Sequence, residues 1–111
     1  MRYTANSKNG VVIRLNKERW MHITLGHPEI SGYLFDVLET IENPEIICYG
    51  NHSELIAVKA VENETNKYLA VVYKELADQT GFLIDGFIIT AYSTSKINSF
   101  QKRQIAWQVK H

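Results

Sequence analysis

The chain has 111 residues, a length typical of one compact domain, and its formal net charge at neutral pH is zero. Hydrophobic residues make up 45% and charged residues 22% of the sequence, which excludes a disordered or collagen-like chain. No apolar run approaches the roughly 18 residues of a membrane span, and the first residues lack the apolar core of a signal peptide. Because the single cysteine, Cys48, allows no internal disulfide, we expect a cytoplasmic protein.

Charge is unevenly distributed along the chain. Basic residues dominate the first 19 positions, acidic residues dominate segment 20–66, and no acidic residue follows Asp85. If the two basic ends meet in the fold, they form a face that attracts phosphate; the alternative is two solvated ends. The neutral total argues against strong non-specific binding to nucleic acid.

The first predicted elements are a strand and a helix. A polar segment, 1–10, is expected to be a flexible tail. The β-branched and aliphatic run 11–15 then predicts a short strand. Asn16 is a typical helix-capping residue, so a helix is expected over 17–25, with Gly26 as its end.

A second helix has the clearest pattern in the sequence. Apolar residues recur at helical spacing between Ile30 and Ile41 and form one stripe. His27 and Pro28 occupy positions typical of a helix start, and Pro44 ends the helix.

The remaining sequence favours strands. Four runs rich in β-branched and aromatic residues are separated by short polar loops: 46–49, 55–61, 68–73 and 82–92. Such loops favour antiparallel hairpins over crossover connections. Residues 95–104 predict a short helix, after which 105–107 are expected to pack back on the body.

Together these elements predict an α+β fold. We expect two N-terminal helices packed on one face of a four-stranded antiparallel meander, with a short N-terminal strand and a short C-terminal helix. The whole chain, 1–111, is expected to be a single domain whose compact body spans 11–107.

Arg19 and His22 are candidates for phosphate chemistry. They are three residues apart in the first predicted helix, so they are neighbours on a polar face. A guanidinium holds an anionic oxygen in a fork, and an imidazole transfers protons near neutral pH. The alternative is a pair of surface side chains.

His27 is five residues from His22, a spacing that separates the two imidazoles on a helix, so no metal site and no cofactor is expected. His27 alternatively fills the bend between the helices.

A second set contains hydroxyl and basic residues. In the last predicted strand, Thr90 and Tyr92 are expected to share one face with Ile88. Their hydroxyls line either a cleft or a half-buried sheet surface. Lys74 at the end of the third predicted strand, and Lys96 after the last, are candidate phosphate ligands. The alternatives are an exposed strand-end lysine for Lys74 and a plain turn into a helix for Lys96.

Four segments in order carry a resemblance to a known family: 19–29, 40–47, 68–72 and 87–92. The specific parts are HIxxxHPE at 22–29 and ITAY at 89–92. Over about residues 11–107 the chain resembles the phage- and bacteria-associated branch of the barnase/EndoU/colicin/RelE-like (BECR) nucleases. The resemblance implies an α+β fold and metal-independent RNA cleavage, often by small toxins paired with an antitoxin protein.

The resemblance also implies site residues. Its matches are the helix histidine, the HPE histidine, two hydroxyls of the last strand and, less specifically, two basic residues: His22, His27, Thr90, Tyr92, Arg19 and Lys74. We therefore expect a toxin-like endoribonuclease that cleaves RNA, and not DNA, by attack of the ribose 2′-OH to give a 2′,3′-cyclic phosphate. The neutral charge departs from the strongly basic toxins that act on ribosome-bound messenger RNA. It leaves a defined substrate such as transfer RNA, or a non-nuclease that has kept the fold.

Two alternatives remain open from the sequence. One is a non-catalytic protein-binding or phage accessory module that keeps the same fold. The other is a metal-dependent hydrolase that uses His22, His27 and an acid such as Glu29.

Overall fold

The computed structural model describes residues 2–110, except the side chain of Arg2. Within these residues the chain forms seven strands, three α-helices and one 3₁₀ turn. In chain order they are β1 (Arg2–Asn6), β2 (Val12–Asn16), α1 (Lys17–Gly26), the 3₁₀ turn (Pro28–Ile30), α2 (Leu34–Glu42), β3 (Ile46–Tyr49), β4 (Leu55–Ala60), β5 (Tyr68–Ala77), β6 (Leu83–Thr94), α3 (Ile97–Gln101) and β7 (Ile105–Gln108).

All strands of the described chain belong to one mixed sheet with the order β1-β2-β6-β5-β4-β3-β7. The prediction of a four-stranded antiparallel meander is therefore wrong. Strands β3 to β6 are antiparallel neighbours, but they form the centre of a seven-stranded sheet. β1 and β2 extend the sheet on one side and β7 on the other, and β2 runs parallel to β6.

One cause of this error is the N-terminal segment, which was expected to be a flexible tail. The expected tail contains β1, which pairs antiparallel with β2 over its whole length. Its sequence is polar, yet Ala5 is buried and Tyr3 packs on the core, so the inward positions alternate as a strand requires. The turn back to β2 closes with the Ser7 N–H donating to the Val11 carbonyl at 2.9 Å.

The C-terminal end completes the sheet. α3 is shorter than the helix expected over 95–104, and its Phe100 is buried. The following segment packs back as expected, and does so as strand β7, paired with β3. Trp107 of β7 lies under Lys8 of the β1–β2 turn, with the Lys8 Nζ 5.0 Å from the ring centroid. The two basic ends of the chain therefore meet at this contact.

Two hydrophobic cores lie on opposite faces of the sheet. The larger, which we call the helix-side core, is formed between the sheet and α1 and α2 by residues that include Ile13, Leu15, Ile23, Val37, Ile41, Val71, Tyr73 and Ile88. The smaller lies beneath α3 and includes Cys48, Ile56, Val58, Ala70 and Phe100. Burial raises the pKa of the Cys48 thiol, although Arg103 partly opposes this shift. None of the helices within the described residues has the length and apolar character to cross a bilayer.

A bulge in β6 changes the faces expected for its side chains. Tyr73 pairs with Ile88 and Val72 pairs with Thr90, so Ile89 is an extra residue in β6. Ile88 therefore points into the helix-side core, whereas Thr90 faces the opposite side of the sheet. The expectation that Ile88 shares a face with Thr90 and Tyr92 is wrong for this reason.

The ends of α1 and α2 agree in part with the predicted bounds. The Asn16 side chain accepts a hydrogen bond from the Arg19 N–H at 2.7 Å, which confirms the predicted cap of α1. The second helix starts later than expected, because Pro28–Ile30 forms a separate 3₁₀ turn and α2 begins at Leu34. It ends at Glu42, before Pro44, as predicted.

Removing the cap of α1 is expected to lower stability. Asn16→Ala leaves a backbone N–H of the first turn without its partner, which typically costs about 1 kcal/mol in the free energy of unfolding. Urea denaturation of the variant and the wild type measures this loss. Asn98→Ala on α3, where the asparagine is exposed, serves as the control. Equal losses in the two variants would contradict a specific capping role.

Candidate functional site

An open pocket lies beside the first turns of α1. It has a volume of about 430 Å³ and is lined by Asn16, Glu18, Arg19 and His22. Glu18 and Arg19 precede His22 by four and three residues, so all three side chains occupy neighbouring positions on one helix face. The structure thus brings Arg19 and His22 together, as their spacing predicted, and adds a carboxylate that the sequence analysis missed.

A second depression adjoins this pocket, between β2 and β6. It has a volume of about 220 Å³ and is lined by Arg14, Asn16, Arg19, Phe87 and Ile88. The parallel pairing of β2 with β6 covers only two positions, Ile13↔Gly86 and Arg14↔Phe87. Because Asn16 and Arg19 line both depressions, the two lie next to each other, and we call them together the α1 cleft.

Three residues, Arg14, Phe87 and Lys74, form a row across the sheet at one end of this cleft, which we call the Phe87 row. Phe87 pairs with Arg14 of β2 on one side and with Lys74 of β5 on the other. Tyr73, Ile13 and Ile88, their chain neighbours, point into the helix-side core, so the three residues of the row face the opposite side. Adjacent strands are about 4.8 Å apart, so Phe87 has a basic residue on the neighbouring strand on each side.

Both cations of this row have acidic neighbours. Asp85 holds the Arg14 guanidinium in a bidentate pair, with Nε–Oδ1 at 2.9 Å and Nη2–Oδ2 at 2.6 Å. Glu54 lies near Lys74. A hydrogen bond from the His52 backbone N–H is the main cause that lowers the pKa of the Glu54 carboxyl, and the charge of Lys74 contributes. Arg19 has no acidic side-chain partner within hydrogen-bonding distance among the described residues, so it is the most available cation of the cleft.

His27 belongs to a different cluster, at the far end of β6. Its ring centroid is 5.8 Å from that of Tyr92, and its Nδ1 is 3.8 Å from a Glu29 carboxylate oxygen. The same oxygen accepts hydrogen bonds from the Ser93 N–H at 3.4 Å and the Ser93 hydroxyl at 3.3 Å. Desolvation raises the pKa of Glu29, but hydrogen bonds from its own backbone and from Ser93 outweigh this and lower it. These contacts attach the 3₁₀ turn to β6, as expected if His27 fills the bend between the helices.

Thr90 and Tyr92 lie on the face opposite α1 and α2. Thr90 is half-buried and pairs with Val72, next to the Phe87 row. Tyr92 packs on the core beneath α3, where burial raises the pKa of its hydroxyl despite the opposing charge of Arg103. Within residues 2–110, no hydrogen bond or ion pair links Arg19 or His22 with either residue.

The two lysines of the predicted site are far apart along the sheet. Lys74 belongs to the Phe87 row, beside the α1 cleft. Lys96 lies beyond the other end of β6, where it precedes α3 and is exposed. The structure therefore brings together Arg19 and His22, with Lys74 nearby, and groups His27 with Tyr92 elsewhere.

Three residues that line or flank the cleft were missed from the sequence. Glu18 could have been found from its spacing of four residues before His22. Arg14 and Phe87 could have been recognised only as outward positions of their strands, since their contact depends on the long-range pairing of β2 with β6. In the part of the chain that the structure describes, no three His, Cys, Asp or Glu side chains form a group able to hold a metal ion.

Comparisons with known proteins give no further guide. No family model, no curated protein and no solved structure matches the chain. The resemblance to BECR nucleases therefore depends on the short sequence motifs, and the function is best argued from the geometry of the α1 cleft.

Proposed function

We propose that the protein is an endoribonuclease that cleaves RNA without a metal ion, in the α1 cleft. The observation that carries this proposal is that Glu18, Arg19 and His22 line a single open pocket. This set supplies an imidazole for proton transfer, a guanidinium for an anionic phosphate, and a carboxylate in the same pocket.

His22 performs the first proton transfer in this mechanism. Its imidazole accepts the proton of a ribose 2′-OH, and the resulting oxygen attacks the adjacent phosphorus. The bond to the 5′-oxygen of the next nucleotide breaks, which leaves a 2′,3′-cyclic phosphate and a 5′-OH. Glu18 lies one helical turn before His22 and lines the same pocket. His27 does not line this pocket, so we assign protonation of the leaving oxygen to water.

Arg19 stabilises the transition state. Its guanidinium carries a permanent charge and a planar set of donors that matches the non-bridging oxygens of a phosphate. Negative charge on these oxygens grows as the phosphorus becomes five-coordinate, so a fixed cation there favours the transition state over the bound substrate. Because Arg19 lines both depressions of the cleft, a phosphate that it holds can lie where the two depressions meet.

Cleavage of a short single-stranded RNA in the presence of EDTA tests the proposal. We expect products with 2′,3′-cyclic phosphate ends, identified by mass spectrometry, and no cleavage of DNA of the same sequence. An RNA with a single 2′-deoxy substitution should resist cleavage at that nucleotide alone. Loss of cleavage in EDTA, or cleavage at the deoxy position, would refute the proposed chemistry. A folded protein that cleaves neither this RNA nor transfer RNA would instead favour the non-catalytic binding module.

A further inference from the structure

We infer that Phe87, with Arg14 and Lys74 on either side, forms a stacking site for one unpaired base of a single-stranded RNA. This inference rests on the proposed function, since it assigns the substrate of the same cleft. It identifies the substrate as a strand whose bases are exposed, and not as a double helix.

The position of Phe87 supports a base-stacking role. Its half-buried side chain forms part of the lining of the α1 cleft, together with Asn16 and Arg19. Asn16 and Arg19 also line the pocket that contains His22. A base on the Phe87 ring is therefore next to a phosphate held by Arg19. A base and a neighbouring phosphate of one RNA strand require this arrangement.

The neighbours of Phe87 suit a nucleic-acid strand. Single-stranded nucleic acids are commonly bound by aromatic rings that stack on bases and by cations that follow the backbone. Here one sheet row places Arg14 and Lys74 on the two strands that pair with Phe87. The bidentate contact with Asp85 fixes the Arg14 guanidinium and leaves its Nη1 donors outside that contact.

Charge alone does not provide strong binding in this cleft. Asp85 offsets the charge of Arg14, Glu54 lies near Lys74, and the whole chain has no net charge. Stacking on Phe87 must therefore supply much of the affinity and the preference for unpaired RNA. In an A-form helix the bases are stacked on one another and paired, so none of them is free to lie on the Phe87 ring.

The test uses an RNA that the proposed chemistry cannot cleave. A short 2′-O-methyl RNA has no free 2′-OH, and one 2-aminopurine in it reports stacking through the quenching of its fluorescence. We expect binding with quenching for the wild type and about 5- to 100-fold weaker binding for Phe87→Leu. Phe87→Tyr keeps the ring and should keep the affinity. Phe82→Leu, at an exposed phenylalanine of the β5–β6 turn, is the matched control and should bind like the wild type.

Two further measurements examine the strand preference and the role of charge. The same oligonucleotide annealed to its complement should bind at least 10-fold more weakly. Lys74→Ala should reduce the slope of log Kd against log salt by about 0.7, the value for one phosphate contact in a single strand. Circular dichroism melting of each variant identifies any loss of affinity that comes from unfolding.

The outcomes separate this inference from the proposed function. Equal affinity of folded Phe87→Leu and wild type, or equal binding of duplex and single strand, would overturn the stacking site even if the wild type cleaves RNA. Ring-dependent binding by a protein that does not cleave unmodified RNA in EDTA would support the stacking site and refute the nuclease. Absence of both binding and cleavage would refute both.

Discussion

Replacing His22 by alanine should lower the rate of RNA cleavage by a factor of about 10² to 10⁴. Among the described residues, His22 is the only histidine that lines the α1 cleft. The proposed mechanism uses its imidazole to accept the 2′-OH proton. Because His22 is exposed, its removal should leave the free energy of unfolding nearly unchanged. Single-turnover cleavage rates at saturating RNA, measured beside thermal melts, therefore report the chemistry and not the fold.

A matched histidine provides the control for this prediction. His52 is also exposed, in the turn between β3 and β4, and the hydrogen bond that it donates to Glu54 comes from its backbone N–H. His52→Ala should therefore cleave RNA at the wild-type rate. If His22→Ala also retains that rate, the imidazole does not carry the proton transfer, and the assignment of the active site to α1 fails.

The same assay distinguishes the roles of the two histidines in the HIxxxHPE element. The sequence resemblance makes both His22 and His27 catalytic, whereas the structure groups His27 with Tyr92 and Glu29. His27→Ala should therefore reduce cleavage less than His22→Ala. Equal losses in two folded variants would mean that His27 moves into the cleft when RNA binds, and would restore the role implied by the resemblance.

Local chemistry explains which parts of the fold could be predicted. α1 was placed correctly because the Asn16 side chain caps its first turn, an interaction between near neighbours. Gly26 is its last residue but does not adopt the left-handed conformation expected of a helix stop. The four central strands were found because their β-branched runs are separated by short turns. In the described part of β1, Tyr3 and Ala5 pack inward, and two residues are too short a pattern to indicate a strand without its partner.

The site was predicted less completely because it depends on register. Arg19 and His22 were found together because both lie on one helix, where spacing fixes their proximity. The contact of Phe87 with Arg14 joins residues that are distant in sequence, through a parallel pairing that no local pattern indicates. The extra residue at Ile89 then places Thr90 on the same face as Phe87. In a regular strand, residues three apart would lie on opposite faces.

Gly86 controls how closely β2 and β6 approach, so Gly86→Ala should lower the free energy of unfolding by about 1–3 kcal/mol. A Cβ at this position would lie 2.4 Å from the Ile13 Cδ1 and 2.9 Å from the Lys74 carbonyl oxygen. The first contact is with a side chain in the helix-side core, and the second is with backbone that cannot move without disturbing β5. Urea denaturation measures the loss. Gly32→Ala is the control, because a Cβ there has no neighbour within 4 Å and its effect should be neutral or slightly stabilising.

A double variant tests the physical cause of this loss. Ile13→Val removes the Cδ1 that the new Cβ would strike, and alone it should cost about 0.5–1.5 kcal/mol. The double variant with Gly86→Ala should lose less free energy of unfolding than the sum of the two single losses, by at least about 0.5 kcal/mol. The clash with the Lys74 carbonyl remains, so the rescue should be partial. Strict additivity would mean that Ile13 and Gly86 are not in contact, and that β2 is not paired with β6 as the α1 cleft requires.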